Sequence, residues 1–167
     1  LTMQATNSNI SVLGSITTFN GSVSITATNG EVDVGDGIVN GGSINITGAG
    51  NLNITTLNAA TGHLKVEAGS AATAYCQTVS GTITSNIAGD VDITGGGASF
   101  VPAEIKTSGG GAINISAGND LTLQGGVAGG TSNSHASIET TGVGGNITLD
   151  AGNDIEIFGG AGNSGNS

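Results

Sequence analysis

Residues 145–160 read GNITLDAGNDIEIFGG, and residues 111–126 read GAINISAGNDLTLQGG. Each stretch holds two short alternations of apolar and polar residues around the corner Ala-Gly-Asn-Asp. Successive side chains of a strand point to opposite faces, so each alternation predicts a short strand with two inward side chains. Gly accepts positive φ, and Asn and Asp bond to their own backbone, so the corner predicts a turn. The two stretches predict one structural unit repeated 34 residues apart.

The same unit recurs along the whole chain of 167 residues. The predicted first strands are residues 1–3, 23–25, 44–46, 64–66, 83–85, 113–115 and 147–149. The predicted second strands are residues 10–12, 32–34, 52–54, 72–74, 91–93, 121–123 and 155–157. A third apolar position recurs at Ile16, Ile38, Leu57, Val79, Ile105 and Ile138. Each second strand starts eight or nine residues after its first strand, a regularity that is typical of a repeat protein and not of a disordered chain.

Stacking is the arrangement that buries the apolar side of such units, because one unit alone cannot cover it. The sequence therefore predicts an all-β, right-handed parallel β-helix of about seven coils in a single domain, residues 1–157. Residues 158–167, rich in Gly, Asn and Ser, form a tail or the start of a next coil. Ile147 is expected to lie over Ile113, and Ile155 over Leu121. The alternative, an antiparallel sandwich, needs hairpin turns and strands of about five or more residues.

The spacing between units is uneven. First strands start 22, 21, 20, 19, 30 and 34 residues apart, which predicts insertions in the last two inter-coil connections, about residues 95–109 and 125–144. Loops that project from one edge of a solenoid often carry its binding function. A surface insertion without function costs little free energy and is the alternative interpretation.

Charge excludes several classes of partner. The chain has twelve carboxylates, two lysines and no arginine, for a net charge of -10. Binding of nucleic acid requires a basic patch, which two lysines cannot form. No run of 18 apolar residues occurs, so membrane insertion by a helix is not expected.

The repeated phrase, apolar-Thr/Asn-apolar-x-Ala-Gly-Asn-Asp-apolar-x-apolar, resembles the repeat regions of filamentous-haemagglutinin-like exoproteins, bacterial proteins exported by two-partner secretion. The resemblance is clearest at residues 111–123 and 145–157 and weaker at 64–74. It implies a right-handed parallel β-helix, an extracellular or bacterial cell-surface location, and a role in adhesion or surface fibres.

Carboxylates recur at equivalent corner and second-strand positions. Asp90 with Asp92 and Asp154 with Glu156 form such pairs, which a divalent cation could bridge, so calcium is the one candidate cofactor. Repetition along the axis favours instead a solvated acidic face, because a binding or catalytic site is usually unique. The sequence predicts no catalytic residue and no other cofactor or metal site.

The remaining reactive side chains give no site pattern. Cys76 is the single cysteine, so it forms no intramolecular disulfide. It is predicted to be a small buried residue, and the alternative is a reactive thiol. His63 and His135 have no spacing typical of a metal pair and are predicted to be surface or turn residues.

The sequence thus predicts a non-catalytic structural and adhesive shaft. Its expected partners are further β-helix coils, supplied by self-association or by continuation of the chain, and a host-cell glycan or protein receptor. The alternative is a fragment of a carbohydrate-active β-helix enzyme, either a lyase or a hydrolase.

Overall fold

A computed structural model describes residues 1–12, 16–18, 22–34, 44–48, 52–58, 60–68, 73–78, 81–97, 101–126 and 134–160. Every regular element in these ranges is a β-strand, and the strands form three parallel sheets, which we name A, B and C. All fourteen strand pairs are parallel, so the antiparallel sandwich is excluded for the described residues. The predicted all-β fold class, a parallel β-helix, is confirmed.

The strands enter the sheets in strict rotation. Sheet A contains β1 (Thr2–Ala5), β4 (Val23–Ala27), β7 (Leu52–Thr56), β10 (Ile83–Ile87), β13 (Ile113–Ala117) and β16 (Ile147–Ala151). Sheet B contains β2 (Ile10–Val12), β5 (Val32–Val34), β8 (Leu64–Glu67), β11 (Val91–Thr94), β14 (Leu121–Gln124) and β17 (Ile155–Phe158). Sheet C contains β3 (Ile16–Thr18), β6 (Ile44–Gly48), β9 (Ala74–Thr78), β12 (Ala103–Thr107) and β15 (Ala136–Thr140).

One pass through sheets A, B and C makes one coil. The described strands give five complete coils and a sixth with strands in sheets A and B, and we number these coils 1 to 6 in chain order. Register partners in sheet A are Thr2, Ser24, Asn53, Thr84, Asn114 and Thr148, so successive coils take 22, 29, 31, 30 and 34 residues. The described strands therefore give six coils where the sequence predicted about seven.

The difference arises between residues 44 and 78. Residues 44–46 and 52–54 were assigned to one coil, but β6 lies in sheet C and β7 starts the next coil in sheet A. Likewise, residues 64–66 lie in sheet B, and Ala74 starts β9 in sheet C. The eight residues from Ile44 to Leu52 span a turn from sheet C to sheet A, and this distance happens to match the spacing from sheet A to sheet B elsewhere.

Within their described residues, both predicted insertions contain a regular strand of sheet C. Residues 95–109 contain β12 and residues 125–144 contain β15, and these two strands pair in register with each other. The coil of about 30 residues is the normal length, and coil 1 is the short one.

The prediction of a third apolar position in each unit is confirmed at Ile16, Ile105 and Ile138, which lie in sheet C. Leu57 follows β7 and is 62% exposed, so its assignment was wrong. Ile38 and Val79 lie outside the described residues.

Aliphatic stacks fill the interior. Ile147 pairs with Ile113 and Ile155 pairs with Leu121, as predicted. Inward side chains of the middle coils are almost completely buried, and together they form one continuous core. In-register stacking produces this core because each inward residue lies over its counterpart in the coil below.

Candidate functional site

The residue that precedes each strand of sheet B forms a column along the molecule, which we name the corner column. Strand register places its six members one above another. They are Asn9, Glu31, His63, Asp90, Asp120 and Asp154. Five of these residues are ionisable, so the column is the longest array of chemically active side chains among the described residues.

Two hydrogen bonds connect consecutive members of this column, one between two backbone groups and one from a backbone amide to a side chain, and we name this pair of bonds the corner clip. The carbonyl of Asp120 accepts from the Val91 amide below it at 2.9 Å, and the Asp120 amide donates to Oδ1 of Asp90 at 3.3 Å. Asp154 repeats both bonds, to the Leu121 amide at 2.9 Å and to Oδ1 of Asp120 at 3.1 Å. The side chains of Asp90 and Asp120 thus each accept the backbone amide of the column member in the next coil.

The clip also operates at other levels with different side chains. The Glu31 amide donates to Oδ1 of Asn9 at 3.2 Å, and the Asp90 amide donates to Nδ1 of His63 at 3.0 Å. The hydrogen bond from the Asp90 amide requires an unprotonated Nδ1 on His63. The same nitrogen lies 3.1 Å from Oδ2 of Asp90, and this contact becomes an ion pair only when the ring is protonated. An amide, an imidazole or a carboxylate can therefore serve as the acceptor.

Glycine at this corner is required by close packing. A Cβ added to Gly118 would lie 2.0 Å from the Ala88 carbonyl oxygen, and one added to Gly152 would lie 2.1 Å from that of Gly118. The predicted reason, positive φ, does not apply here: the positive-φ glycines among the described residues are Gly110, Gly142 and Gly144. The corner sequence is a turn, as predicted, but the neighbouring coil selects its glycine.

Sheet B carries the acidic face. Eight of the twelve carboxylates lie in the corner column or at outward positions of this sheet. They are Glu31, Asp33, Glu67, Asp90, Asp92, Asp120, Asp154 and Glu156. Lys65 is the cation of this face, and its Nζ lies 2.9 Å from Oε2 of Glu31. The hydrogen bond to Glu31 raises the pKa of Lys65.

The environment of two aspartates of this face disfavours their charged form. Burial raises the pKa of Asp33, and the nearby Glu31 adds to the effect. Burial also raises the pKa of Asp92, with a contribution from Asp90. Oδ1 of Asp33 is buried and has no hydrogen-bond partner, which agrees with a desolvated carboxylate.

The calcium candidates do not converge on one point. Asp90 and Asp154 belong to the corner column with Asp120 between them, and Asp92 and Glu156 belong to the adjacent outward row with Thr122 between them. The pair Asp90 and Asp92 is separated from the pair Asp154 and Glu156 by two coil steps, each of about 4.8 Å. Among the described residues, no group of three or more His, Cys, Asp or Glu side chains is arranged to hold a metal ion. Calcium binding stays a prediction.

A second group of reactive side chains lies on the outward face of sheet C, and we name it the sheet C cluster. It contains Tyr75, Glu104, Lys106 and His135. Oε1 of Glu104 lies 3.0 Å from Nε2 of His135, and Oε2 pairs with Nζ of Lys106. The same Nζ lies 4.2 Å from the centre of the Tyr75 ring, a cation–π contact. Glu104 is 7% exposed, so it is a buried carboxylate with a cationic or polar partner on each oxygen.

Sequence reasoning missed this cluster. Glu104 and Lys106 lie in a stretch interpreted as an insertion, and His135 was predicted to be an isolated surface or turn residue. His135 is exposed, but the register of β12 with β15 brings it against Glu104 from 31 residues away. The strand character of Ala103–Thr107 was the signal that could have revealed the contact.

Cys76 is buried and free, which confirms the prediction of a small buried residue. Burial raises the pKa of its thiol to about 12, and this disfavours the reactive thiolate. Among the described residues no helix is long and apolar enough to cross a membrane. Comparisons of the chain with family models, with curated proteins and with solved structures give no match.

Proposed function

We propose that this chain is a structural and adhesive β-helix shaft without catalytic activity. The corner clip is the observation that carries the proposal. Its polar side chains bond to the backbone of the next coil, and the same two bonds recur at four levels. A catalytic site concentrates unlike groups at one place, whereas this arrangement distributes like groups along an axis and joins the coils.

The location that we propose is extracellular, on a secreted or surface-attached bacterial protein of the filamentous-haemagglutinin-like class. Support comes from the repeated corner phrase at residues 117–120 and 151–154 together with the parallel solenoid that it builds. The high negative charge, -10 overall, also keeps such shafts from associating nonspecifically through their acidic faces.

Resistance to proteases tests the shaft directly. A protease needs a locally unfolded segment, and the coils join every strand to neighbours that are far away in sequence. We expect thermolysin to leave the segments 81–97 and 101–126 uncut under native conditions. The variant Asp120→Ala loses one level of the clip and should be cut faster, whereas Asp120→Asn keeps the acceptor and should match the parent. Rapid cleavage of the parent within either segment would contradict the shaft.

Adhesion and catalysis are separated by two assays on the same preparation. The labelled chain is applied to a glycan array to find the glycans that bind it. The same glycans are then incubated with the chain in solution and assayed for new reducing ends. An adhesive shaft binds without release. Release of reducing ends above a boiled-protein control would overturn the non-catalytic proposal.

The sheet C cluster favours a second candidate, a carbohydrate-active enzyme. The Glu104 carboxylate is held between Lys106 and His135, and these three side chains include the proton donors and acceptors that a lyase or hydrolase uses. This candidate predicts sugar release that is abolished by Glu104→Gln and retained by Glu139→Gln, its matched control on the exposed side of the same sheet. Equal absence of activity in all three proteins would reject it.

A further inference from the structure

One of the four levels of the corner clip uses a nitrogen as its side-chain acceptor. Asn9, Asp90 and Asp120 accept the amide of the next coil through an oxygen, whereas His63 accepts it through Nδ1. An imidazole nitrogen accepts a hydrogen bond only while it is unprotonated, and imidazoles ordinarily change charge between about pH 5 and pH 8. The clip between coils 3 and 4 therefore depends on a proton in a pH range where the oxygen acceptors do not.

Nδ1 of His63 faces a donor and an acceptor that belong to the same residue. The Asp90 amide donates to this nitrogen at 3.0 Å, and Oδ2 of Asp90 lies 3.1 Å from it. While Nδ1 is unprotonated, the amide bond forms and the carboxylate oxygen faces a lone pair. Once Nδ1 is protonated, its N–H can donate to Oδ2, and the amide faces another donor. The two states of the ring thus satisfy different groups of Asp90.

Close packing holds the ring between the two coils. A Cβ added to Gly89 would lie 2.8 Å from Nδ1 and 3.0 Å from Cε1 of His63, so the ring lies against the backbone of coil 4. Backbone bonds flank it on both sides, from the Gly89 amide to the Gly62 carbonyl at 3.0 Å and from the Leu64 amide to the Asp90 carbonyl at 2.9 Å. The His63 side chain is 25% exposed, so solvent protons reach it. A proton can therefore change the partner of Nδ1 while the coils stay in register.

The charged groups around the ring come from three coils. They are Glu31 and Asp33 in coil 2, Lys65 and Glu67 on the strand that follows His63, and Asp90 and Asp92 in coil 4. The pKa of Lys65 is raised by its hydrogen bond to Glu31, so this lysine keeps its charge throughout the range. Burial raises the pKa values of Asp33 and Asp92, so a variant without the imidazole is needed to separate their titration from that of the ring.

We propose that the clip between coils 3 and 4 is a proton switch, in which Nδ1 of His63 releases the Asp90 amide and binds the Asp90 carboxylate when the ring is protonated. At neutral and higher pH a neutral ring joins the coils by accepting a backbone amide. In acid an ion pair joins them, and the amide is open to solvent. The inference goes beyond the proposed shaft function, because it places one acid-sensitive bond within the rod whatever the rod adheres to.

Hydrogen exchange of the Asp90 amide, followed by NMR in a chelating buffer, tests the switch. Its protection factor, which corrects for the intrinsic pH dependence of exchange, is expected to fall about tenfold from pH 8 to pH 5, the effect of losing one hydrogen bond. The Glu31 and Asp154 amides donate to oxygen acceptors at other levels and should keep their protection. An equal protection factor of the Asp90 amide at both pH values overturns the inference.

The tautomer of His63 gives a second test, which needs no substitution. The nitrogen chemical shifts of the ring at pH 8 should show a proton on Nε2 and none on Nδ1, because Nδ1 accepts the Asp90 amide. A ring that carries its proton on Nδ1 at pH 8 cannot accept this amide, and that result also overturns the inference.

Two variants assign the titration to one ring. His63→Asn supplies an oxygen acceptor of the kind that Asn9 already provides and cannot be protonated in this range, so its Asp90 amide should keep one protection factor from pH 8 to pH 5. His135→Gln removes the other histidine of the chain and should retain the fall. A fall that persists in His63→Asn would come from the carboxylates and overturns the inference. None of these results bears on the proposed shaft, which the protease assay decides separately.

Discussion

Where the structure describes them, the turn from sheet A to sheet B and the turn from sheet C to sheet A satisfy backbone polar groups by different chemistry. At the turn from sheet A to sheet B, partly exposed carboxylates of the corner column accept the amides of the next coil. At the turn from sheet C to sheet A, the hydroxyls of a buried threonine, Thr107, and a partly buried one, Thr140, bond to a backbone carbonyl. The hydroxyls of Thr107 and Thr140 lie 2.9 Å apart and lie 2.9 and 3.1 Å from the Gly111 carbonyl oxygen.

The difference shows how charge and burial are divided around the coil. A carboxylate at a buried turn would lose its hydration, whereas a hydroxyl bonds a carbonyl at a small desolvation cost. Thr78 makes the equivalent bond one coil lower, to the Gly81 carbonyl at 2.7 Å. The turn from sheet A to sheet B therefore keeps its net charge on the surface. The turn from sheet C to sheet A, which we name the threonine turn, keeps the interior neutral.

The largest loss of stability is expected from a substitution that disturbs the spacing between coils at the turn from sheet A to sheet B, which we name the acidic turn. In Gly118→Ala the added methyl would lie 2.0 Å from the Ala88 carbonyl oxygen, and the two coils must separate. We expect a loss of about 3 kcal/mol in the free energy of unfolding. Gly97→Ala is the control, because nothing lies within 4 Å of the new atom. Urea denaturation measures both, and equal stability of the two variants would contradict the close-packing explanation.

The threonine turn is expected to be the next most sensitive. Thr107→Val keeps the shape but removes a buried hydroxyl from the Gly111 carbonyl and from Thr140. We expect a loss of about 2 kcal/mol, because two hydrogen bonds at a buried site are lost and the Gly111 carbonyl keeps only Thr140 as its side-chain donor. Thr122→Val, at an outward position of sheet B, should be close to neutral by the same urea measurement. A larger loss at Thr122 than at Thr107 would reverse our ranking.

A single clip at the acidic turn should contribute less. Asp120→Ala removes the acceptor of the Asp154 amide at a partly exposed site, where water can replace it. We expect a loss of about 1 kcal/mol, and Asp120→Asn should recover most of it, because Asn9 already performs the same role. Thermal unfolding followed by circular dichroism distinguishes the two variants. A fully destabilised Asp120→Asn would show that charge, and not the hydrogen bond, holds this turn.

The smallest expected effect is that of pH on the acidic face. The folded-state pKa values of Asp33 and Asp92 are raised above the unfolded value of 3.8, so the folded chain binds these protons more tightly. Stability is therefore expected to rise as pH falls from 7 through the raised pKa values, and the gain is complete near the unfolded value.

Melting temperatures from pH 7 to pH 4 check this effect. The double variant Asp33→Asn with Asp92→Asn should show a flatter profile than the parent. Glu139→Gln removes one carboxylate from sheet C, leaves both aspartates in place, and should keep the rise. A melting temperature of the parent that falls steadily with acid would refute the prediction.

The candidate sites were predictable to different degrees. The acidic face was visible in the sequence, because its carboxylates recur at equivalent positions of the repeated unit. The hydrogen bonds that connect them were not, since a side chain and the amide of the next coil are about 30 residues apart in sequence. The sheet C cluster was missed altogether, because Glu104 and His135 become neighbours only through strand pairing.

By itself the sequence determined that this protein stacks short strands in parallel, that residues 111–126 and 145–160 are one unit in two copies, and that the chain turns at Gly-Asn-Asp. Local alternation and turn chemistry suffice for these conclusions, and the register of Ile147 with Ile113 follows. Only the tertiary structure decided which strand enters which sheet. An apolar-polar-apolar triplet looks the same in all three sheets, so residues 44–78 could be assigned only through their backbone partners in the coils above and below.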